Sequence, residues 1–433
     1  MALVAAGFAA CSSDADDSAQ PDAAAATTVP TSAAPPGTAR ADDVDIEAAF
    51  EFARCMREHG IEDFADPQIR ADGDFSLRPP ADVDDEELKP ADEACAHIAT
   101  WRSDPDAPSQ TAALADGWER IMPGGHCQCA DGSPFSFWFR QADPAKVVFY
   151  LQDGGACWSA ETCAPDRDLY TSNVGAGPTA ERGIFDLTDE RNPFADYSFV
   201  YVPYCTGDVH LGDTTTDYAP GLVVHHEGYV NATAALDHLA TSAPDATDVV
   251  VIGESAGSIA APLYAGLASD RFPGASITVL ADGSGSYPDV PVINDIAAAW
   301  GGGDAIAPWP DDDGGTAGGS GFPGLTIESG HHAPGIVFAR HDYAFDATQQ
   351  MFIDLVGVAA DDLLSLIDAN ERQIEDAGVD LLSYIAPGDE HTVLSDGRFY
   401  TEEVNGQRLV DWVTSLTAHQ PVDDVHCTRC ASG

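Results

Sequence analysis

The sequence predicts an α/β protein: a doubly wound, mainly parallel sheet with helices on both faces, preceded by a small disulfide-stapled helical unit. Three observations predict it. From about Gly117, short β-branched apolar runs bounded by Gly, Pro or Asp alternate with helical patterns, the signature of strand–helix–strand units. One run, Val249-Val-Val-Ile, passes through Gly253-Glu-Ser-Ala-Gly257 into a helix of small residues. Ten cysteines, several in the first hundred residues, suit an oxidising exterior better than a reducing cytosol.

The elements follow in order. Residues 1–11 are a short apolar run ending in Ala-Ala-Cys11. The run is too short for a bilayer span, which takes about 20 residues. It is similar to the end of a bacterial lipoprotein signal, with Cys11 as the lipidated residue and the true start expected upstream of Met1. Lipidation would leave nine thiols, so one unpaired cysteine is expected. Residues 12–44 are Ala, Pro, Thr, Ser and Asp with almost no large apolar side chain, a tether without a core. Residues 45–103 form a small module. Ile46, Phe50, Phe52, Ala53 and Met56 make a helical stripe, Gly60 stops it, and a second helix over about 91–101 carries Cys95. A Cys55–Cys95 bridge would staple helices too small to hold a core alone. Residues 117–426 are the catalytic candidate, and 427–433 a Cys-containing tail. Strands are expected at 134–140 and 146–151, read as a pair, then at 197–203, 249–253, 276–281, 335–339 and 381–386. Helices are expected at about 227–241, 256–269, 347–356, 360–376 and 407–418. The Asp- and Gly-rich run 311–321 reads as a surface loop. Cys127-x-Cys129 and Cys427-x-x-Cys430, beside His126 and His426, have zinc as a rival to disulfides.

Charge excludes whole function classes. With 72 acidic against 19 basic residues the net charge is −53, which rules out binding nucleic acid through phosphate neutralisation. Docking on anionic lipid is disfavoured, so the membrane is reached only through the lipid anchor.

The chemistry centres on Ser255. In G-x-S-x-G the turn holds the serine in a strained conformation, and the flanking positions must be small for strand and helix to meet. Apolar strand before and small-residue helix after make this an α/β-hydrolase-like elbow. A serine needs a base, and in this fold acid and base lie downstream, in that order. His391, just past the strand at 381–386, is favoured, with His341 as its rival; His331 and His332 precede a strand. The acid is Asp346, Asp342 or Asp389. Asp346 opens an apolar helix and is therefore held by packing, while Asp389 lies on an exposed turn. Gly154 and Gly155 in Leu151-Gln-Asp-Gly-Gly-Ala-Cys-Trp158 allow close backbone approach, so amides there and at Ala256 suit an oxyanion hole.

The ordered set resembles the pectin acetylesterase/Notum family of serine hydrolases over about residues 118–417. Cys129-Ala-Asp-Gly-Ser-Pro, Leu151-Gln-Asp-Gly-Gly-Ala-Cys157 with Cys163, Asn192-Pro-Phe, Val202-Pro-Tyr-Cys-Thr-Gly-Asp208, Ala281-Asp-Gly and Tyr343-Ala-Phe-Asp346 carry the resemblance. It implies Ser255, Asp346 and His391 as a triad, and the amides of Gly155, Ala156 and Ala256 as oxyanion donors. It implies the bridges Cys129–Cys205 and Cys157–Cys163, with the pairing of Cys127, Cys427 and Cys430 left open. Gly154, Trp158, Asp282 and Tyr343 are expected at the substrate pocket. Two departures stand out: Gly-Glu-Ser where plant members often have Gly-Cys-Ser, and Ala156 in place of an aromatic. The implied activity is hydrolysis, through an acyl-enzyme, of O-acyl and above all O-acetyl esters of an extracellular polysaccharide, with pectin acetylesterase as the favoured subtype; the substrate is an acylated carbohydrate or another ester, and the enzyme an extracellular monomer needing no metal or organic cofactor. The alternatives are a deacylase or acyltransferase acting on cell-envelope esters, and a surface-tethered binding protein.

Overall fold

A computed structural model describes residues 117–430, apart from 168, 176, 179–181, 303–308, 310–320, 361 and 429, together with positions scattered between 52 and 98. Cys11, the tether 12–44, the first residues of the helical module, Trp101 and most of the loop at 311–321 lie outside the described residues. Chain contacts form two units, one within 14–113 and one from 114 onward. In the first, residues 52–57 are helical, and Cys55 and Cys95 are disulfide-bonded. Phe52, Ala53, Met56, Ile61, Phe64 and Ala91 bury themselves around that bridge. His59, which a metal reading would pair with Cys55, turns Nδ1 to the Cys55 carbonyl at 2.9 Å.

The second unit is built on nine strands: β1 (Trp118–Ile121), β2 (Phe137–Arg140), β3 (Asp143–Leu151), β4 (Tyr197–Val202), β5 (Asp248–Glu254), β6 (Ser276–Asp282), β7 (Val337–Tyr343), β8 (Leu381–Ala386) and β9 (Val425–His426). Their order across the sheet is β9-β8-β7-β6-β5-β3-β4-β2-β1. The run from β9 to β4 is parallel, and β2 and β1 add an antiparallel edge. Among the described residues seven helices join them: α1 (Gly228–Ser242), α2 (Ala256–Arg271), α3 (Pro291–Ala299), α4 (Gly321–His332), α5 (Ala347–Val356), α6 (Leu363–Asp376) and α7 (Leu409–Thr417). Central parallel strands are covered on both sides, so they read as unbroken apolar runs: all six residues of β4 are buried, and so are the last six of β5. Strand order reverses at β3, between β5 and β4, and a crevice for ligands opens beyond the carboxyl ends there.

The structure departs from the sequence expectation in three places. The segments 137–140 and 143–151 are not partners, because β4 inserts between them. A hairpin, Thr214–Ala219 with Leu222–His226, forms where alternating polar residues gave no apolar run. Helix α4 forms from a Gly- and Pro-containing stretch that carries no stripe. Cys129–Cys205, Cys157–Cys163 and Cys427–Cys430 are bridged, and Cys127 is disulfide-bonded too. Among the described residues no cysteine is free, against the expected odd thiol.

Candidate active site

Ser255 sits between β5 and α2 with φ 49° and ψ −114°. Holding a non-glycine residue there costs on the order of 1–3 kcal/mol, so the surroundings must enforce it. They do so by crowding. A Cβ on Gly253 would run into the Gly257 carbonyl, and one on Gly257 into the Leu151 carbonyl. The Ser255 N–H donates to the Asp282 carbonyl at the end of β6, 2.8 Å away.

His391 lies beyond β8 on the same side. Its Nδ1–H donates to Asp346 Oδ2 at 2.7 Å. Asp346 is fully buried and caps α5: Oδ1 accepts the N–H groups of Thr348 (2.9 Å) and Gln349 (3.0 Å), and Oδ2 also accepts Gln349 Nε2 at 3.1 Å. One carboxylate is thus locked by the helix and presents its other oxygen to the imidazole. His391 Nε2 is buried and has no partner among the described residues. The ring packs on Gly283, where a Cβ would stand 3.3 Å from Cε1. Gly283 follows Asp282, whose carbonyl receives the Ser255 N–H, so the Ser255 backbone and the His391 ring both abut the end of β6. Burial lowers the His391 pKa. The hydrogen bond from Asp346 and the charges of Asp346, Asp282 and Asp153 outweigh that, and the net shift is upward.

The rival acids and base are engaged elsewhere. Asp342 is fully buried, with Arg340 Nε 2.9 Å from Oδ2, while Oδ1 accepts Gly285 N–H and Gln349 Nε2, each at 2.9 Å. His341 is fully buried on β7 and its Nδ1 meets Asp282 Oδ1 at 2.8 Å. Asp389 is exposed.

The three amides expected as oxyanion donors differ in their bonding. Gly155 has φ 76°, and its N–H and that of Ala256 take no acceptor among the described residues. The Ala156 N–H is not available in this way. It donates to the Leu169 carbonyl at 3.2 Å, because residues 154–156 pair with 169–171 as a short antiparallel bridge.

A cavity opens beside the serine, lined by Gly155, Ala156, Trp158, Val209, Ser255, Ala256, Ile259, Tyr287, Ile293, Ile296, Trp300, Phe322, Phe352 and Val356. Of the four expected pocket residues only Trp158 lines it. Gly154 packs on Tyr204, where any Cβ would collide with the ring. Asp282 is internal: Oδ2 accepts the N–H groups of Val393 (2.7 Å) and Leu394 (3.0 Å). The buried Tyr343 donates its hydroxyl to Glu402 at 3.0 Å. The apolar wall comes from α3, α5 and Phe322, whose residues carry no motif and were not anticipated. Asp208 has a role that its motif alone did not show. Its two oxygens gather Thr206 Oγ1 and the N–H groups of His210, Gly212 and Gly228, so it caps α1 and closes the 206–212 turn.

Residues 124–297 match the family model described as Pectinacetylesterase. That stretch of the chain is similar to the pectinacetylesterase family. The chain is 28% identical over 142 residues to palmitoleoyl-protein carboxylesterase NOTUM of Schmidtea mediterranea, covering 30% of this chain and 26% of that one. It is 25% identical over 177 residues to pectin acetylesterase 5 of Arabidopsis thaliana, covering 40% of this chain and 39% of that one. Over 118 residues it is 27% identical to inactive palmitoleoyl-protein carboxylesterase notum1b of Danio rerio, covering 26% of this chain and 82% of that one. The chain thus spans roughly a quarter to two fifths of the NOTUM and pectin acetylesterase 5 relatives it matches. The family-model match takes in Ser255 and ends before Asp346 and His391, so those two rest on geometry and motif.

Proposed function

We propose that the protein is a serine carboxylesterase that hydrolyses O-acyl esters through an acyl-enzyme. The observation that carries this reading is the buried, unpartnered Nε2 of His391, oriented by Asp346, on the side of the sheet where Ser255 sits strained between β5 and α2. Ser255 Oγ attacks the ester carbonyl as Nε2 takes its proton. Asp346 fixes the Nδ1–H tautomer and stabilises the imidazolium. The N–H groups of Gly155 and Ala256 hold the oxyanion, each worth about 3–4 kcal/mol in systems of this kind. The imidazolium then protonates the leaving alcohol. Water, deprotonated by the same nitrogen, releases the acid and restores Ser255.

The cavity supports an acyl group of several carbons over acetyl. Its lining is aliphatic and aromatic beyond the serine, and an apolar wall is wasted on an acetyl methyl. A second reading, O-acetyl removal from an extracellular polysaccharide, is supported by the pectin acetylesterase 5 relative. Against a polyanionic polymer stands the net charge of −53. Four disulfide bridges among the described residues suit an extracellular location.

The test is a panel of p-nitrophenyl acetate, butyrate, octanoate and palmitate beside acetylated pectin, with Ser255→Ala as control. Turnover is expected to peak at butyrate or octanoate and to vanish in the control. A native enzyme no faster than Ser255→Ala on every ester would end the esterase reading. A marked preference for acetylated pectin would select the second reading.

A further inference from the structure

Two buried carboxylates connect nucleophile and base without belonging to the triad. Asp282 offers its carbonyl to the Ser255 N–H and its Oδ2 to the N–H groups of Val393 and Leu394, just after His391. Glu254, the residue before the serine, is 1% exposed and reaches the next position: Oε1 accepts Ser395 N–H at 3.1 Å and Ser395 Oγ–H at 3.0 Å. Its Oε2 meets the Tyr150 hydroxyl at 2.5 Å, and Tyr150 is itself stacked on Tyr201 and wedged against Phe185.

The segment they hold needs holding. Thr392 is β-branched yet sits at φ 58°, a conformation that costs on the order of 1–3 kcal/mol. It relaxes unless neighbours on both sides are pinned. His391 is pinned by Asp346 before this residue, and Val393, Leu394 and Ser395 are pinned after it.

We propose that Glu254 is a positioning residue for catalysis: by fixing Ser395 from the elbow itself, it keeps His391 in register with Ser255. The inference rests on the esterase reading. It does not follow from the G-x-S-x-G pattern, which leaves the position before the serine unspecified. Glu254 faces Tyr150 and Asp153 from the β3 side, Tyr201 from β4, Asp282 from β6, and Ser395 from the segment that carries His391. Burial, then the charges of Asp282 and Asp153, push its pKa up to about 8.

The experiment compares kcat and KM of Glu254→Gln, Glu254→Leu and Ser395→Ala on p-nitrophenyl butyrate, with fold and concentration checked by circular dichroism. Gln keeps an acceptor at the Oε1 position, so its kcat should stay within about threefold of native. Leu removes the acceptor while conserving bulk, and the loosened base should cost kcat about 10–100-fold with KM unchanged, as expected for sub-ångström misplacement of a catalytic group. Ser395→Ala, which removes one of the two bonds, should fall between them. A folded Leu variant with native kcat, or a Gln variant as slow as Leu, overturns the proposal. If Leu fails to fold, Ser395→Ala at native kcat overturns it. A native enzyme no better than Ser255→Ala would instead be a failure of the esterase reading.

Discussion

Replacing Asp346 by Asn changes one atom, and the structure says which way the new amide must face. Oδ1 accepts two backbone N–H groups at the start of α5, from Thr348 and Gln349. An amide nitrogen there would set donor against donor twice, so the Asn oxygen takes that place and the cap survives. The NH₂ then faces His391 Nδ1 and Gln349 Nε2. The imidazole can pair with it only by moving its proton to Nε2, the atom that must accept the serine proton. The base is therefore lost by tautomer, with the fold intact. In a well-studied serine protease triad the same exchange lowers kcat by about 10⁴, equivalent to about 5.5 kcal/mol of barrier. The Gln349 contact adds a stability cost of about 1 kcal/mol. The assay is kcat on p-nitrophenyl butyrate, with the melting temperature as control. An Asn variant that melts near native and keeps more than a tenth of native kcat would refute the reasoning, because Asp346 would then not set the tautomer.

Two further predictions follow from the same groups. His391 must be neutral to act, and its pKa is raised because the Asp346 bond and the surrounding charges overcome burial. Activity should therefore fall on acidification through a midpoint above the usual imidazole value of about 6.5, read as kcat/KM against pH; a midpoint below 6 contradicts the assigned environment. Asp342→Asn leaves Arg340 buried without its counter-charge, which typically costs about 3–5 kcal/mol. The melting temperature should drop on the order of 5–10 °C, and an unchanged one would show that the pair is dispensable.

Some of this was legible in the sequence because local chemistry leaves a pattern. A buried parallel strand reads as Val249-Val-Val-Ile, and an elbow needs small residues at Gly253 and Gly257 whatever surrounds it. Asp346 was singled out because it opens an apolar helix, which is also why its carboxylate is fixed. What the sequence hid was long-range. Nothing in 137–151 says that β4 inserts between two neighbouring segments, because that is decided by pairing across about fifty residues. Nothing near Ala156 says that its N–H goes to Leu169. The cavity wall is assembled from α3, α5 and Phe322, where ordinary core residues face a void rather than each other. Among 72 acidic residues, Glu254 and Asp282 look like all the others. Only burial separates them from a solvated surface.

That separation also explains how so acidic a chain builds a working interior. Asp208, Asp282, Asp342 and Asp346 are all buried, and only Asp342 has an arginine partner among the bonds described above. The others are satisfied by backbone N–H groups, hydroxyls, amides and imidazoles. Carboxylates solvated by fixed dipoles keep their direction without being neutralised by a neighbouring cation, so their field remains in the site. The field acts where it is needed: Asp346, Asp282 and Asp153 each favour the protonated form of His391. In the proposed reaction that form appears only as the serine proton is transferred, so Asp346 and Asp282, which also shape the fold, lower the barrier to the imidazolium. An arginine beside Asp282 would satisfy its oxygens equally well and would cancel that contribution.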